Sequence, residues 1–414
     1  MRVLVDFSER RVSRLLIGIV GKTNVGKSTF FSAATMAEVS IEDRPFVTIE
    51  ANEGVGYVRV KSVCSEFGLR CNPRHGWCTG IHRFVPVKLL DVAGLVPGAH
   101  EGRGLGNRFL DDLRRSSVNI IVVDASGSTD SEGRRVRPGT HDPLEDISIV
   151  KEEFTFWMVD VLKRNLDKFY RKIFSGTKPE RILSDILSGL EIRESDIRSC
   201  LNELGIDPRK LVVEREEEKI FEFVELLIRK AKPFVVAANK VDVPEAEDNL
   251  RRMRESIEDP VMPVSAEAEL ILKKAAKIGL IHYEPGSSDF HILDEGKLKE
   301  SQKKVLELIR ERVLKKYGST GVQKALECAV FDVGRNIVVF PVENETRLCD
   351  KDGRILPDAF ILPEGSTVLD LARKVHSEIA ERSICGIDVR TKSRVGMDQK
   401  LKHRDIIKIV TRRG

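Results

Sequence analysis

Short, continuous apolar runs bounded by glycine or charged residues recur along the chain. They are Leu15 to Val20, Val85 to Val92, Val118 to Ala125, Pro233 to Ala238 and Val261 to Val264. Unbroken runs of this length predict strands covered on both faces, as in a parallel sheet; a sheet with one wet face would alternate apolar and polar residues. Between the runs, apolar residues recur at helical spacing. Ser28 to Ala37 reads as a helix directly after the first strand, and Ile147 to Lys172, Glu180 to Ser188, Glu194 to Leu204 and Glu214 to Ala231 carry apolar stripes among charges. Alternating strands and helices predict an α/β fold, a mostly parallel sheet with right-handed crossovers. Ser301 to Lys316 continues the helical pattern, and Tyr317-Gly318-Ser319-Thr320-Gly321 interrupts it. From Asn336 onward the pattern changes: Ile337 to Val342 is strand-like, Thr367 to Ala380 is an amphipathic helix, and Ile406 to Val410 is a closing strand. That set suits a small, separate α+β domain.

Four motifs follow the apolar runs, at the strand ends where an α/β sheet binds its ligands. Gly21-Lys22-Thr23-Asn24-Val25-Gly26-Lys27-Ser28, with Thr29 after it, is a phosphate loop opening a helix. Its glycines let backbone N–H groups close around an anion, Lys27 is placed for the β- and γ-phosphates, and the Ser28 hydroxyl for Mg²⁺. Asp91-Val92-Ala93-Gly94 supplies a carboxylate for the same Mg²⁺ and, at Gly94, an amide that senses the γ-phosphate. Asn239-Lys240-Val241-Asp242 reads the base: the Asp242 carboxylate accepts two hydrogen bonds from guanine, a donor pair that adenine lacks. Lys240 would lie along the base and Asn239 would tie the loops together. Ser265-Ala266 would add a backbone N–H toward the guanine carbonyl. Thr48, between the first helix and the next strand, is the remaining candidate for Mg²⁺ and the γ-phosphate. Together these predict a GTP/GDP site with Mg²⁺ on Ser28, Thr48 and Asp91, and with Lys27, Thr48, Asp91 and Gly94 as the residues nearest the chemistry.

The interval from Asp91 to Asn239 is much longer than the roughly 60 residues that two βα units require. The expected organisation is therefore a nucleotide domain formed by 1–145 and 232–330, an inserted helical subdomain at 146–231, and a C-terminal domain at 336–414.

At 414 residues the chain is too long for one ordinary core, which agrees with several domains. The 69 basic and 65 acidic residues nearly balance, so the bulk charge makes no case for nucleic acid. No apolar run approaches the roughly 20 residues of a membrane span, and Met1 to Arg14 does not resemble a signal peptide, so a cytoplasmic protein with no membrane partner is expected. Seven cysteines, an odd number, do not suit a secreted disulfide scaffold. Cys64, Cys71, His75 and Cys78 have the donor types of a Cys₃His zinc site but lack the Cys-x-x-Cys knuckle. The spacing favours unrelated loop residues over Zn²⁺, with a disulfide between two of them as the other alternative.

Pro45-Phe46-Val47-Thr48-Ile49, Asp91-Val92-Ala93-Gly94-Leu95-Val96-Pro97-Gly98-Ala99 and Gly102-Arg103-Gly104-Leu105-Gly106-Asn107-Arg108-Phe109-Leu110 resemble the Obg superfamily of translation-factor-class GTPases. The long helical insertion is similar to that of its YchF-like branch, and the C-terminal region resembles a TGS domain, a ubiquitin-like β-grasp module. The resemblance implies a cytoplasmic GTPase switch partnered with ribosomes or RNA, with the TGS domain as a contact. Lys400, Lys402, Arg404, Lys408, Arg412 and Arg413 are compatible with phosphate contacts there, or with a plain solvated surface. Bacterial YchF proteins carry Glu at the base-reading position and favour ATP; Asp242 departs from that pattern. Leu95 occupies the place where Ras-like proteins use a water-orienting Gln, so slow intrinsic hydrolysis is expected. By the same resemblance Asn24 is a candidate K⁺ ligand. A scaffold with negligible hydrolysis and a P-loop enzyme phosphorylating a substrate are the alternatives; Thr48 and Asp242 argue against the latter.

Overall fold

The structure is a computed structural model that describes residues 15–36, 52–92, 94, 112, 114–169, 175–190 and 192–412. Thr48, Leu95 and the segment 102–110 lie outside these residues. The chain divides into two compact units: 16–58 with 86–334, and 59–85 with 335–414.

The first unit is built on strands β1 (Leu16–Val20), β2 (Glu53–Lys61), β4 (His82–Asp91), β5 (Val118–Asp124), β6 (Phe234–Asn239) and β7 (Val261–Pro263), in the order β2-β4-β1-β5-β6-β7; the two-residue β3 (Trp77–Cys78) pairs with β4. β1 pairs in parallel with β4 and β5, and β5–β6–β7 are parallel in turn. Every residue of β1, β5 and β6 is buried, which is what their unbroken apolar runs predicted. The phosphate-loop helix α1 (Lys27–Thr35) follows β1.

Helix α2 spans Pro143–Lys168. Asp142 caps it by accepting from the Leu144 N–H, and Pro143 occupies the first position, where a missing N–H costs nothing. Ile147, Val150, Phe154, Met158, Leu162 and Leu166 form its buried stripe. α3 (Pro179–Leu187) and α6 (Glu217–Ala231) pack against it, and α4 (Glu194–Leu204) and α5 (Pro208–Val212) pack on these two. Fully burying a leucine or phenylalanine contributes about 1.5–3 kcal/mol, so this stripe is a major part of the unit's stability. The pattern reading treated 146–231 as an inserted subdomain. In the structure the stripe shares one hydrophobic cluster with Ile121 and Val123 of β5 and Phe234 and Val236 of β6, and the helices fall in the same compact unit as the sheet. Phe154 meets Phe234 edge to face at 6.2 Å. α7 (Ala246–Ser256) and α8 (Ala266–Lys277) flank β7, a small pair β8 (Ile281–His282) and β9 (His291–Ile292) follows, and α9 (Glu300–Ile309) continues into further helical turns up to Tyr317. Among the described residues, no helix is long and apolar enough to cross a membrane.

In the second unit, β10 (Asn336–Val342), β11 (Phe360–Pro363), β12 (Ser383–Asp388), β13 (Arg394–Val395) and β14 (Ile406–Thr411) form a sheet in the order β11-β10-β14-β12-β13. Its central pair, β10 and β14, is parallel, and its other pairs are antiparallel. Helix α10 (Val368–Val375) lays Val368 and Leu371 on Ile337, Val339, Leu362 and Ile407. This is the β-grasp arrangement. The amphipathic stretch Thr367 to Ala380 is two helices and not one: His376 is extended (φ −167°), ends α10, and accepts from the Glu378 N–H to start Ser377–Arg382.

Residues 59–85, placed by the pattern reading in the nucleotide domain, pack with the C-terminal region. The buried Arg83 guanidinium donates to the Leu356 and Pro357 carbonyls at 3.2 and 3.0 Å, Arg74 pairs with Asp350 and Asp358, and Glu66 pairs with Arg390 and Arg404. These partners are far apart in sequence and no local pattern links them.

Candidate nucleotide site

β1 ends at Val20, and the chain turns sharply at Gly21 (φ +151°), where a Cβ would come within 2.4 Å of the Val122 carbonyl of β5. Gly26 (φ +94°) caps α1, and a Cβ there would lie 2.3 Å from Asn239 Nδ2. Both glycines are thus required by close backbone approach. Between them Asn24 also adopts the left-handed region, at φ +63°, which an Asn tolerates. The loop and the N-terminus of α1 line a cavity of about 700 Å³, within the ordinary range for a small-molecule site. Its walls include Lys22, Thr23, Asn24, Lys27, Ser28, Thr29, Gly94 and Lys240. A helix N-terminus with unpaired N–H groups and a lysine makes this wall an anion site. Lys27 donates to Asp91 Oδ1 at 2.6 Å, which brings the phosphate lysine and the candidate Mg²⁺ carboxylate to one point.

The base-reading residues join the phosphate loop through Asn239. Its amide donates to the Val25 carbonyl at 2.9 Å and its Oδ1 accepts from the Ala266 N–H at 3.0 Å. Ser265 caps α8 and donates to Asp242 Oδ1 at 2.8 Å, holding the carboxylate in one orientation. Lys240 sits at φ +64°, an uncommon conformation for a lysine and the kind of backbone strain that a site imposes. Lys240 lines the cavity, whereas Asp242, Ser265 and Ala266 are connected to it by these bonds and are not among its lining residues. Thr48 falls outside the described residues.

The motif reading missed the segment between β5 and α2. Asp124, fully buried at the end of β5, accepts from Lys240 (2.7 Å), Ser126 (2.5 Å), Ser128 (2.7 Å) and Thr129 (2.6 Å). Burial disfavours its charge, but the Lys240 ammonium and the three hydroxyls outweigh this and hold the carboxyl below its usual range. Further along, Ser128, Arg135 and Val136 line the cavity, and the Gly133 carbonyl accepts from the Asn24 amide at 2.7 Å. Lys22 turns its ammonium to the Thr129 carbonyl and to Asp146 of α2, both at 2.8 Å, so its backbone is what it has to offer an anion. His141 shares Asp146, also at 2.8 Å, and burial still pushes that carboxyl up. The available signal was Asp124 ending an apolar strand and followed by Ser126, Ser128 and Thr129: a carboxylate with hydroxyls at a strand's C-terminal end, where α/β folds place ligands.

Gly133 tests this segment. It sits at φ +81°, and a Cβ would be 1.9 Å from Thr23 Oγ1. Gly133→Ala is expected to cost about 1–3 kcal/mol through backbone strain and to lower affinity for a fluorescent GDP analogue, since both Thr23 and Asn24 must shift.

Of the basic C-terminal residues, Arg404 is paired with Glu66 and Lys408 with Glu345, so the cluster is less available to phosphate than its composition suggests. Lys400 and Lys402 remain exposed.

Three family descriptions match separate parts of the chain: 50S ribosome-binding GTPase at residues 16–153, Obg-like GTPase YGR210-like, G4 motif-containing domain, at 237–344, and TGS domain at 351–411. An uncharacterized GTP-binding protein of Methanocaldococcus jannaschii is 46% identical over 397 residues, which is 96% of this chain and 99% of that one. The solved structure of a GTP binding protein from Pyrococcus horikoshii OT3 superposes with a TM-score of 0.76 at 36% identity, covering 96% of this chain and all of the other. The ribosome-binding ATPase YchF of Mycoplasma genitalium is 31% identical over 229 residues, 54% of this chain and 56% of the relative.

Proposed function

Since the chain belongs to the YchF/Obg-like family of GTP-binding proteins, we propose that it is a GTP-selective, slowly hydrolysing switch that acts on ribosomes or their RNA. The observation that carries guanine selectivity is Asp242, whose carboxylate is oriented by Ser265 while Asn239 ties its loop to the phosphate loop. A carboxylate held in this way rejects a base that cannot donate two hydrogen bonds, because it would be left unpaired. Several relatives are named ATPases, so the choice of base is a property to test in this chain.

The residues present fit Mg²⁺. Ser28 lines the cavity, and Asp91, at the end of β4, is joined to the adjacent Lys27, which neutralises it. Ser28, Asp91 and Thr48 would hold the ion, which when bound would neutralise charge on the β- and γ-phosphate oxygens. Lys27 would then exchange its bond to Asp91 for one to phosphate. Leu95 has no group that orients water, which supports slow intrinsic turnover. The ribosomal partner rests on the family description matched at residues 16–153 and on the TGS match.

The test is GTP and ATP binding by calorimetry, followed by turnover with and without purified ribosomes, each in K⁺ and in Na⁺. GTP is expected to bind at least about 100-fold tighter than ATP, and ribosomes to raise turnover. Equal affinity for the two nucleotides would overturn the base reading, and unchanged turnover would overturn the ribosome reading. Faster turnover in K⁺ is the result expected if Asn24 holds that ion; its amide nitrogen is given to Gly133, so its oxygen is the atom concerned.

A further inference from the structure

The excursion at residues 59–85 gathers three sulfur atoms. Cys64 begins a short 3₁₀ turn (Cys64–Phe67), Cys78 lies in β3, and Cys71 is in the loop between them. Their Sγ atoms lie within 4.8 Å of one another. His75, the fourth residue of the sequence-level set, is exposed and does not belong to the cluster. We propose that Cys64, Cys71 and Cys78 form a site for one Zn²⁺ ion, held by three thiolates and a fourth oxygen or nitrogen donor.

The geometry is compatible with a tetrahedral thiolate site. Zn–S bonds of about 2.3 Å put the sulfurs of a regular tetrahedron about 3.8 Å apart, and Cys64 Sγ lies 3.8 Å from Cys78 Sγ. The fully buried Ser62 hydroxyl lies 2.9 Å from Cys64 Sγ, 3.3 Å from Cys78 Sγ and 3.7 Å from Cys71 Sγ. It thus stands at the fourth corner, where a structural zinc site carries its remaining donor. The Gly80 N–H points at Cys78 Sγ from 3.4 Å, the kind of outer hydrogen bond that fixes and tunes a metal-bound thiolate. A disulfide fits less well: all seven cysteines are free, the 3.8 Å gap between Cys64 and Cys78 is nearly twice a sulfur–sulfur bond length of about 2.05 Å, and any pairing leaves a third buried or half-buried thiol over.

Arg83 supplies an independent argument. It is 1% exposed, and its Nε is buried with no hydrogen-bond partner. Burial disfavours its charge, and the groups that oppose this are Cys71, Cys78 and Asp358. A buried guanidinium needs negative charge beside it. Three neutral thiols would supply none, whereas three thiolates around Zn²⁺ carry one net negative charge. Binding releases three protons from the thiols to solvent and changes no oxidation state.

The site would also answer a structural need. The excursion is short, Trp77 stacks on Phe84 at 4.2 Å within it, and segments of this size seldom hold a fixed shape without a cross-link or a metal. Yet it carries Glu66, Arg74 and Arg83, which bind the C-terminal segments. Zinc would fix the turn that carries Glu66, the loop that carries Arg74, and β3, where Cys78 pairs in register with Arg83 of β4.

The full-length chain, purified without chelator or affinity metal, is expected to contain about one Zn²⁺ per molecule by plasma mass spectrometry. Replacing the metal with Co²⁺ is expected to give thiolate-to-cobalt charge-transfer bands and the strong visible absorption of a tetrahedral ion. The C64S/C71S/C78S variant should lose the metal, while C385S, altered outside the cluster, should retain it. The cobalt spectrum of the unmodified chain decides the matter even if the triple variant misfolds. A metal-free chain that takes up no Co²⁺ in thiolate coordination would overturn the proposal. So would zinc retained by the folded triple variant, iron in place of zinc, or a thiol count under denaturing conditions that reveals a disulfide.

Discussion

Asp242→Asn is expected to lower GTP affinity by roughly 10³-fold or more and to leave the fold intact. Guanine presents two donors side by side to this residue. The carboxylate accepts both, whereas an amide offers one acceptor and one donor, so one of the two bonds becomes a donor facing a donor. Xanthine carries a carbonyl where guanine carries its amino group, and it matches the amide. The variant should therefore gain in relative affinity for XTP as it loses GTP. Ser265 donates to Asp242 Oδ1, and an amide oxygen there would still accept that bond, which is why little stability should be lost. Competition binding with a fluorescent nucleotide measures both effects. Undiminished GTP affinity in the variant would show that the base lies elsewhere.

Asp124→Ala should have the largest effect on stability. The carboxylate is fully buried and joins Lys240, Ser126, Ser128 and Thr129. Removing it leaves a partly buried ammonium and several hydroxyls without their acceptor, a change that costs about 3 kcal/mol or more. The side chain of Lys240 is 30% exposed, so some hydration offsets the loss and keeps the value at the lower end. A fall in Tm of about 5 °C follows for a unit of this size. Nucleotide affinity should drop as well, since Lys240 and the cavity-lining Ser128 both lose their anchor. Asp124→Asn keeps an acceptor and should be milder. The pH dependence has a definite sign: the folded-state carboxyl is held below its ordinary value of 3.8, so its contribution is complete above that pH and is lost as pH falls through the lower folded value. Thermal melts between neutral and acid pH would show the wild type losing stability there and Asp124→Ala losing less.

Much of the nucleotide unit was legible in the chain. β1, β4, β5, β6 and β7 appear within a few residues of their apolar runs, and α4 has the bounds its spacing predicted. Such elements are set by local burial and backbone preference, which periodicity records. The C-terminal unit was partly legible. Its central strands β10 and β14 were apparent, but the extended His376 that divides its helix was not, because an apolar stripe continues across a break that backbone geometry alone reveals.

The phosphate loop was determined by the sequence itself. Gly21 and Gly26 take positive φ, Lys27 and Ser28 follow at fixed positions in the first helical turn, and Asp242 is readable as part of the Asn239–Asp242 turn after β6, although it meets Ser265 only across 23 positions. Tertiary structure alone decided the rest. Asp124 meets Lys240 across 116 positions, Asn24 meets Gly133 across 109, and Arg83 meets the Leu356 carbonyl across 273. It also drew Cys64, Cys71 and Cys78 into one cluster from a turn, a loop and a strand whose spacing matched no zinc knuckle. A motif is readable when its parts are held by a single turn of backbone. Residues brought together by the packing of separate elements leave no mark in the order of the chain.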